Sequence, residues 1–417
     1  MKKVLIMVSF IGMLYARDTL IYVGRFPPQG YAWINDGYVV GNVGYLTSDS
    51  GIFFIDLTDK TNPQLINFFH LPGGNNFIEV HDTIAYVTTE YGLRIINVKD
   101  PLNPQIIGSL VISHYLWDFR IIDTILCAIQ SGNKLCLINI KDPSSPIYIT
   151  YFSAPFGADF TILDNYNNLI FAGSQGGRPL YAFDISDPLN PLFLDTILHP
   201  PSPYYPPQAG IEGIDISPLY YPYLYAGTAV GLWIVDISDP SHLQHAFAQI
   251  DTPVYHYVFI KDSLLFSSGY VGPGPWVWNL NSDPLHPQRV VNGPYSGLDD
   301  IFVDSFYYVY VLPTRGDPYN VWEIYKLEEV GVKENEKNKE EIDFEIKDDY
   351  IRIFYNLLKK ENGRIYITDK TGRIFEILRK GVLQNDEILW KPKNKGTYFL
   401  VLETKNKRII KKINIIK

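Results

Sequence analysis

One apolar run closed by an aspartate-centred turn recurs along this chain, and that recurrence constrains the fold more than any other feature. The copies read IFFIDLTDKTNP (52–63), LRIINVKDPLNP (93–104), LCLINIKDPSSP (135–146), LYAFDISDPLNP (180–191), LWIVDISDPSHL (232–243) and WVWNLNSDPLHP (276–287). Their anchoring residues Asp59, Asp100, Asp142, Asp187, Asp239 and Asp283 are spaced 41, 42, 45, 52 and 44 apart. A period near 42 with one strongly apolar run per unit fits a four-stranded blade of a β-propeller. Each unit also supplies a short strand after the turn, such as QIIGSL (105–110), and then a hairpin, such as WDFRIIDTILCAI (117–129). Asp36, Asp82, Asp123, Asp164, Asp262 and Asp304 are expected at the tight turn of that hairpin.

A seventh unit is split between the two ends of the repeat region. LIYVGRF (20–26) reads as a strand with no turn before it, and VWEIYKL (321–327) as a strand with nothing after it. Joined, they complete a last blade and leave no half-built sheet edge. The expectation is therefore an all-β fold, a seven-bladed propeller of four-stranded blades over residues 17–327.

Asp236 and Asp239, three apart behind an apolar run, have the spacing of paired catalytic carboxylates or metal ligands. The repeat argues otherwise. Asp followed by Pro is a turn signature, the carboxylate accepting backbone N–H groups and Pro presetting φ. Asp236 alternates with Asn at the equivalent positions Asn97, Asn139 and Asn279. A catalytic base does not tolerate that exchange, so both residues read as structural.

Charge divides the chain. Residues 1–327 carry 15 Lys+Arg against 29 Asp+Glu, whereas residues 328–417 carry 21 against 16. The acidic body argues against a nucleic-acid partner. MKKVLIMVSFIGMLYA (1–16) combines a positive start, a short apolar stretch and a small residue at Ala16, the pattern of a secretory signal peptide. It is too short for a membrane span, which needs about 20 apolar residues. An exported, soluble mature chain without a membrane span is expected, secreted or held at the outer cell surface.

Cys127 and Cys136 lie in TILCAIQSGNKLCLINI. If Ser131 and Gly132 form a two-residue hairpin turn, positions summing to 263 face each other, and this pair qualifies. Export permits a disulfide there; two reduced core thiols are the alternative.

The units GLWIVDISDP and GLRIINVKDP resemble those of the LVIVD-repeat proteins, exported β-propeller-like proteins of bacteria and archaea, over residues 20 to about 327. Lys60 departs from the pattern, standing where Pro is usual. The resemblance implies a fold and no established activity. After a charged linker (328–342), residues 343–417 alternate apolar and polar residues between turn signals, as a small β-sandwich does. IYITDKTGR (365–373), Trp390 with KGTYFLVL (395–402) and the ending RIIKKINIIK resemble the C-terminal sorting domain of type IX secretion cargo. That resemblance implies handling by secretion machinery. The chain lacks the usual Asn-Pro entry, and an additional Ig-like adhesion domain is the other reading.

Three features mark candidate binding sites. Asp118, Asp159, Glu212, Asp299 and Asp300 open innermost strands, with His256 at a comparable point; gathered at one mouth they would hold a hard cation such as Ca²⁺, and separated each would stabilise its own loop. The insertion at 199–227 carries Tyr204, Tyr205, Tyr220, Tyr221 and Tyr223 among prolines, which suits sugar rings or extended peptides or, alternatively, packing on a neighbouring blade. Trp276 and Trp278 share one strand face, as inter-blade packing requires. No nucleophile elbow, phosphate loop, dinucleotide fingerprint, HExxH or CxxC is present. The expectation is a non-enzymatic binding or interaction scaffold without a cofactor, its partner a surface protein or carbohydrate. The competing expectation is a secreted hydrolase or lyase with carboxylates, and Ca²⁺, at the propeller mouth.

Overall fold

In a computed structural model the chain divides into two compact units, Met1–Val330 and Gly331–Lys417. The structure describes residues 17–28, 33–155, 157–175, 180–200, 210–228, 230–250, 255–269, 274–281, 283–295, 298–304, 307–313, 321–330, 341–346, 351–356, 361–368, 374–383, 386–392, 396–404 and 408–415. The expected signal peptide lies outside these residues, as do Tyr204, Tyr205 and residues 331–340 of the expected linker. Every regular element among the described residues is a strand, and none is a helix long and apolar enough to cross a membrane.

The first unit is a β-propeller. Its first sheet comprises β2 (Ile34–Val40), β3 (Val43–Ser48), β4 (Gly51–Asp56) and β5 (Gln64–His70), in that spatial order. The second comprises β6 (Asn75–His81), β7 (Ile84–Thr89), β8 (Gly92–Asn97) and β9 (Gln105–Val111). The third comprises β10 (Leu116–Ile122), β11 (Ile125–Gln130), β12 (Lys134–Asn139) and β13 (Ile147–Ser153). The fourth comprises β14 (Phe160–Tyr166), β15 (Leu169–Ser174), β16 (Leu180–Asp184) and β17 (Leu192–Ile197). The fifth comprises β18 (Ile211–Asp215), β19 (Tyr223–Thr228), β20 (Gly231–Asp236) and β21 (Gln244–Ile250). The sixth comprises β22 (Tyr255–Lys261), β23 (Leu264–Gly269), β24 (Gly274–Asn279) and β25 (Gln288–Tyr295). A further sheet joins β26 (Leu298–Val303), β27 (Tyr308–Pro313) and β28 (Trp322–Val330) to β1 (Arg17–Phe26), the first strand of the chain. The inner strands touch in succession from β2 to β26, and β26 touches β2 again.

The apolar runs of the repeat are the third strands. They are buried on both faces because each sheet is sandwiched between neighbours, so alternation distributes one run between two cores. Phe53 joins Leu46 and Trp322 on one side, whereas Phe54 joins Tyr45 and Val87 on the other. The outermost strands are mostly exposed or half-buried, as β5 is and as β9 is apart from its buried Gly108.

The turn after each third strand has the geometry its sequence predicts. Asp236 accepts the Ser238 N–H at 2.8 Å, Asp239 accepts the Ser241 N–H at 3.0 Å, and the His242 N–H reaches the Asp239 carbonyl at 2.9 Å. Asn97, Asn139 and Asn279 do for Lys99, Lys141 and Asn281 what Asp236 does for Ser238. Hydrogen bonds from the His242 ring and from the Ser241 amide hold the Asp239 carboxyl below its ordinary range. Such a group is a poor general base.

The turn also locks blade to blade. A Cβ on Gly108 of β9 would lie 1.9 Å from the Pro143 carbonyl oxygen, in the turn of the following unit. Backbone, not a movable side chain, fills that space. Gly108→Ala is expected to cost about 1–3 kcal/mol through overpacking, read from urea unfolding of the full chain. An unchanged midpoint would show that the blades slide apart without penalty.

Two turn expectations need correction. The left-handed residue between first and second strands is Gly41 (φ 60°), Asp82 (56°), Asp123 (55°), Asn167 (53°), Asp262 (51°) or Tyr307 (60°). Asp82, Asp123 and Asp262 are where they were expected, because Asp tolerates this conformation. Asp36 and Asp164 lie instead inside β2 and β14. The disulfide is also excluded. The hairpin loop holds three residues, Ser131, Gly132 and Asn133, so Gln130 faces Lys134 and opposed positions sum to 264, not 263. Cys136 therefore faces Ala128, and Cys127 faces Leu137. The two thiols are free and point into different cores.

In the second unit, β29 (Glu341–Ile346), β30 (Ile351–Asn356) and β33 (Asp386–Trp390) form one sheet. A second sheet has the order β32 (Ile374–Leu383), β31 (Glu361–Thr368), β34 (Gly396–Thr404) and β35 (Arg408–Ile415). One core serves both, with Ile342, Ile353 and Trp390 from the first meeting Ile365, Leu400 and Ile413 from the second.

Candidate functional site

Inner strands β2, β6, β10, β14, β18, β22 and β26 line a cavity of about 640 Å³. Strand alternation turns every second residue toward it. Hairpin register makes Tyr38, Glu79, Arg120, Asp164, Asp215, Phe259 and Phe302 equivalent positions, each facing the third residue of the adjacent strand, and all seven line the cavity. Two residues earlier on their strands, Asp36, Phe77, Asp118, Ile162 and Tyr257 form a second layer.

Most of this polarity is bound internally. Arg120 Nη1 lies 2.8 Å from Asp118 Oδ1 and 3.7 Å from Glu79 Oε1, and its Nε lies 3.3 Å from Asp164 Oδ1. Nη1 also donates to the Phe119 carbonyl at 2.7 Å. The opposite carboxylate oxygens staple successive blades. Asp36 accepts the Ile78 N–H, Asp118 that of Leu163 and Asp164 that of Ile216, each at 2.8 Å. Asp215 accepts the Ile260 N–H at 2.5 Å. Each such bond ties an inner strand to the next one or to the residue just past it; a bond to a charged acceptor is worth about 1.5–3 kcal/mol and one to a neutral acceptor about 0.5–1.5 kcal/mol.

Burial sets the protonation of these groups. It raises Asp118 to about 6 against the opposing pull of Arg120. Asp215 rises to about 8, through burial first and then the neighbouring Asp164 charge. Asp164 is itself raised by burial, with Arg120 opposing. Burial works against the Arg120 charge, yet Asp118, Asp164 and Glu79 outweigh it and leave the guanidinium more firmly protonated than usual.

The sign for stability follows. A carboxyl whose folded value exceeds its unfolded value holds a proton in the folded state that the unfolded chain has released. Stability is then fully present below about pH 4 and falls as pH rises toward about 8 for Asp215, by up to about 1.4 kcal/mol per pH unit. Asp215→Asn keeps an acceptor for the Ile260 amide and removes the charge. It is expected to flatten that slope and to stabilise the protein at pH 8, in urea unfolding at pH 5, 6.5 and 8. Parallel wild-type and variant profiles would refute the assignment.

Of the residues expected to form an acidic mouth, Asp118, Asp159 and Glu212, whose side chains are described, do not line one cavity. Asp118 is buried in the channel network. Asp159 is exposed and Glu212 half-buried, and neither lines the cavity. Glu212 accepts a hydrogen bond from Gln175 at 2.7 Å. Asp300 lies on β26 opposite Leu312 and His256 on β22, their side chains being outside the description. Among the described residues no three His, Cys, Asp or Glu side chains form a group that could hold a metal ion.

The described tyrosines of the insertion are occupied with packing. Tyr220 and Tyr223 lie against the core that holds Trp276 and Trp278. Tyr221, 40% exposed, stacks on Tyr166 of the preceding blade with ring centres 4.3 Å apart. Arg120 and Asp215 escaped the sequence reading. The signal that reveals them is the alternation Asp118-x-Arg120, once the left-handed turn residues align the inner strands.

At the end of the ring where inner strands begin, several aromatic side chains are exposed. Trp33 precedes β2, Tyr91 sits in the β7–β8 turn, and Tyr115 and Trp117 flank the start of β10; they are 45%, 54%, 37% and 38% exposed.

Comparison with known proteins bears on the fold. The model of the LVIVD repeat matches residues 219–248, which supports a repeat β-propeller. No curated protein matches the chain in sequence. Among solved structures, the computationally designed Ika8 protein is similar at TM-score 0.54 and 13% identity, over 89% of this chain and all of that one. Sqt1 of Saccharomyces cerevisiae is similar at TM-score 0.53 and 9% identity, over 74% of this chain and 99% of that one. Raptor of Chaetomium thermophilum is similar at TM-score 0.55 and 14% identity, over 75% of this chain and 30% of that one. Identities this low speak to fold alone.

Proposed function

We propose that this chain is an exported, seven-bladed β-propeller acting as a non-enzymatic binding scaffold at the cell surface, with a C-terminal β-sandwich that directs its secretion and attachment. The observation that carries the binding role is the group of exposed aromatic side chains, Trp33, Tyr91, Tyr115 and Trp117, at one end of the ring. Exposed rings grouped on a rigid scaffold are what a binding surface needs, because they offer contact area at little entropic cost. The channel carboxylates, by contrast, are committed to backbone amides and Arg120. Export is supported by the N-terminal segment itself, with its positive start, short apolar stretch and small residue at Ala16. The two sheets sharing one core support the sandwich. The test is N-terminal sequencing of the mature chain, combined with protease accessibility on intact cells. An N-terminus at Arg17 on a surface-cleavable protein is expected. An intact Met1 on a protein confined to the cell interior would overturn the export reading.

A second reading, a secreted hydrolase or lyase, draws on the raised Asp215 carboxyl beside Asp164 in the channel cavity. Paired carboxyls with separated protonation are the equipment of acid–base chemistry, and Ca²⁺ would serve as an electrophile. Thermal unfolding in EDTA and then in millimolar Ca²⁺ separates the two. Saturation about 100-fold over the dissociation constant would add about 2.7 kcal/mol and favour the second reading; the binding-scaffold reading expects no shift.

A further inference from the structure

We infer that a groove at the end of the ring where inner strands begin, between the first two blades, is a binding site for neutral oligosaccharide. This rests on the reading that this end of the propeller binds a ligand, and it names the ligand's class. The groove has a volume of about 680 Å³ and is lined by Asp49, Glu90, Tyr91 and Arg94 over a floor of Pro72, Gly73 and Gly74. Its chemistry is mixed in the way a sugar requires. Carboxylates accept hydrogen bonds from hydroxyl groups, a guanidinium donates to hydroxyl and ring oxygens, and an exposed aromatic face covers the apolar C–H face of a pyranose. Acidic residues outnumber the cation, which disfavours a uronate or sulfated chain.

The walls are fixed in advance. Gly73 and Gly74 have φ of 112° and 49°, and their carbonyls both accept the Glu90 N–H, at 3.0 and 3.1 Å. A Cβ on Gly73 would lie 2.5 Å from the Tyr91 ring, and one on Gly74 would lie 2.7 Å from the Glu90 side chain. Only glycine lets both side chains lie down on this loop. The Tyr115 hydroxyl donates to Glu90, and the Tyr115 ring stacks on Trp117 at 5.7 Å and 21°. Glu90, Tyr115 and Trp117 are thereby joined in a continuous row beside Tyr91. Asn35 Nδ2 steadies Asp49 from the other side at 3.1 Å. Preorganised groups of this kind lower the entropic cost of binding a flexible chain.

The experiment is native affinity electrophoresis of the full chain in gels containing soluble neutral polysaccharides: hydroxyethylcellulose, xyloglucan, galactomannan and dextran. Alginate and polygalacturonate serve as acidic comparators. Retardation by at least one neutral polymer is expected. Tyr91→Ala and Trp117→Ala should each weaken it about tenfold, the loss of one stacking contact, and Glu90→Gln should weaken it severalfold. Tyr151→Ala, on the outer strand β13, should leave it unchanged. Thermal unfolding confirms that each variant is folded. Retardation by none of the neutral polymers, by the acidic ones alone, or to the same degree after Tyr91 and Trp117 are both replaced would overturn the inference. The cellular test of export and surface display is independent of these outcomes, so failure here would leave that reading standing.

Discussion

Replacing Arg120 by methionine is expected to destabilise the propeller by about 3–5 kcal/mol at pH 8 and by much less at pH 5. Methionine fills the space of the arginine stem, so the loss is electrostatic. At pH 8 the wild-type guanidinium compensates Asp118 and Asp164, whose oxygens lie 2.8 and 3.3 Å away, and Glu79 at 3.7 Å. Removing one partner of a buried ionic network leaves charge uncompensated, which is the costly way to break it. At pH 5 the Asp118 and Asp215 carboxyls, raised to about 6 and about 8 by burial, are protonated. Without Arg120 their values climb further, so the variant meets pH 5 with neutral acids and has little charge to bury. Urea unfolding at the two pH values measures the gap. A penalty equal at both would mean that Arg120 contributes packing along its stem and not charge compensation.

Deleting β1, residues 17–26, while keeping the rest of the chain should abolish cooperative folding of the propeller. This strand pairs with β28 from Arg17 opposite Val330 to Phe26 opposite Trp322. It buries Leu20 in one core and Phe26 in another, with Val23 packed beside Phe26. Burying each such side chain contributes about 1.5–3 kcal/mol, before the loss of the ladder to β28 is counted. The total approaches the 5–15 kcal/mol that typically separates folded from unfolded protein. Deletion also leaves β28 as an unpaired edge, a template for association with other chains. Size-exclusion chromatography should show aggregate in place of monomer, and the thermal transition should vanish. A peptide of residues 17–27 added in trans should restore part of it by strand addition. A monomer with the wild-type melting temperature would show that the last sheet stands without its N-terminal strand.

Particular residues show how far the sequence carried. The turn residues Asp59 through Asp283 were legible because a carboxylate bonding an amide two positions on is a local event, repeated six times. Pairing of the first strand with the last was legible from the split unit. The cysteine pairing failed by one residue, since a hairpin's register depends on whether its loop holds two or three residues, and Ser-Gly-Asn allows both. That single step puts Cys127 and Cys136 on opposite faces of one sheet. Asp36 and Asp164 were misplaced for a related reason, because Asp suits both a left-handed turn and, when paired, a strand facing a polar channel. The tyrosines of the insertion were visible as a cluster, but nothing local tells that Tyr221 stacks on Tyr166, 55 positions earlier.

By itself, then, the sequence determined what depends on neighbours along the chain: the repeat, the strands, the turn after each apolar run and the side of each strand that faces a core. Only the tertiary structure decided which residues meet at the axis. Arg120 touches Asp164 across 44 positions, and Glu90, Tyr91 and Tyr115 converge with Gly73 and Gly74 at one rim. Alternation says that a side chain points inward; the curvature and closure of the whole ring determine what it finds there.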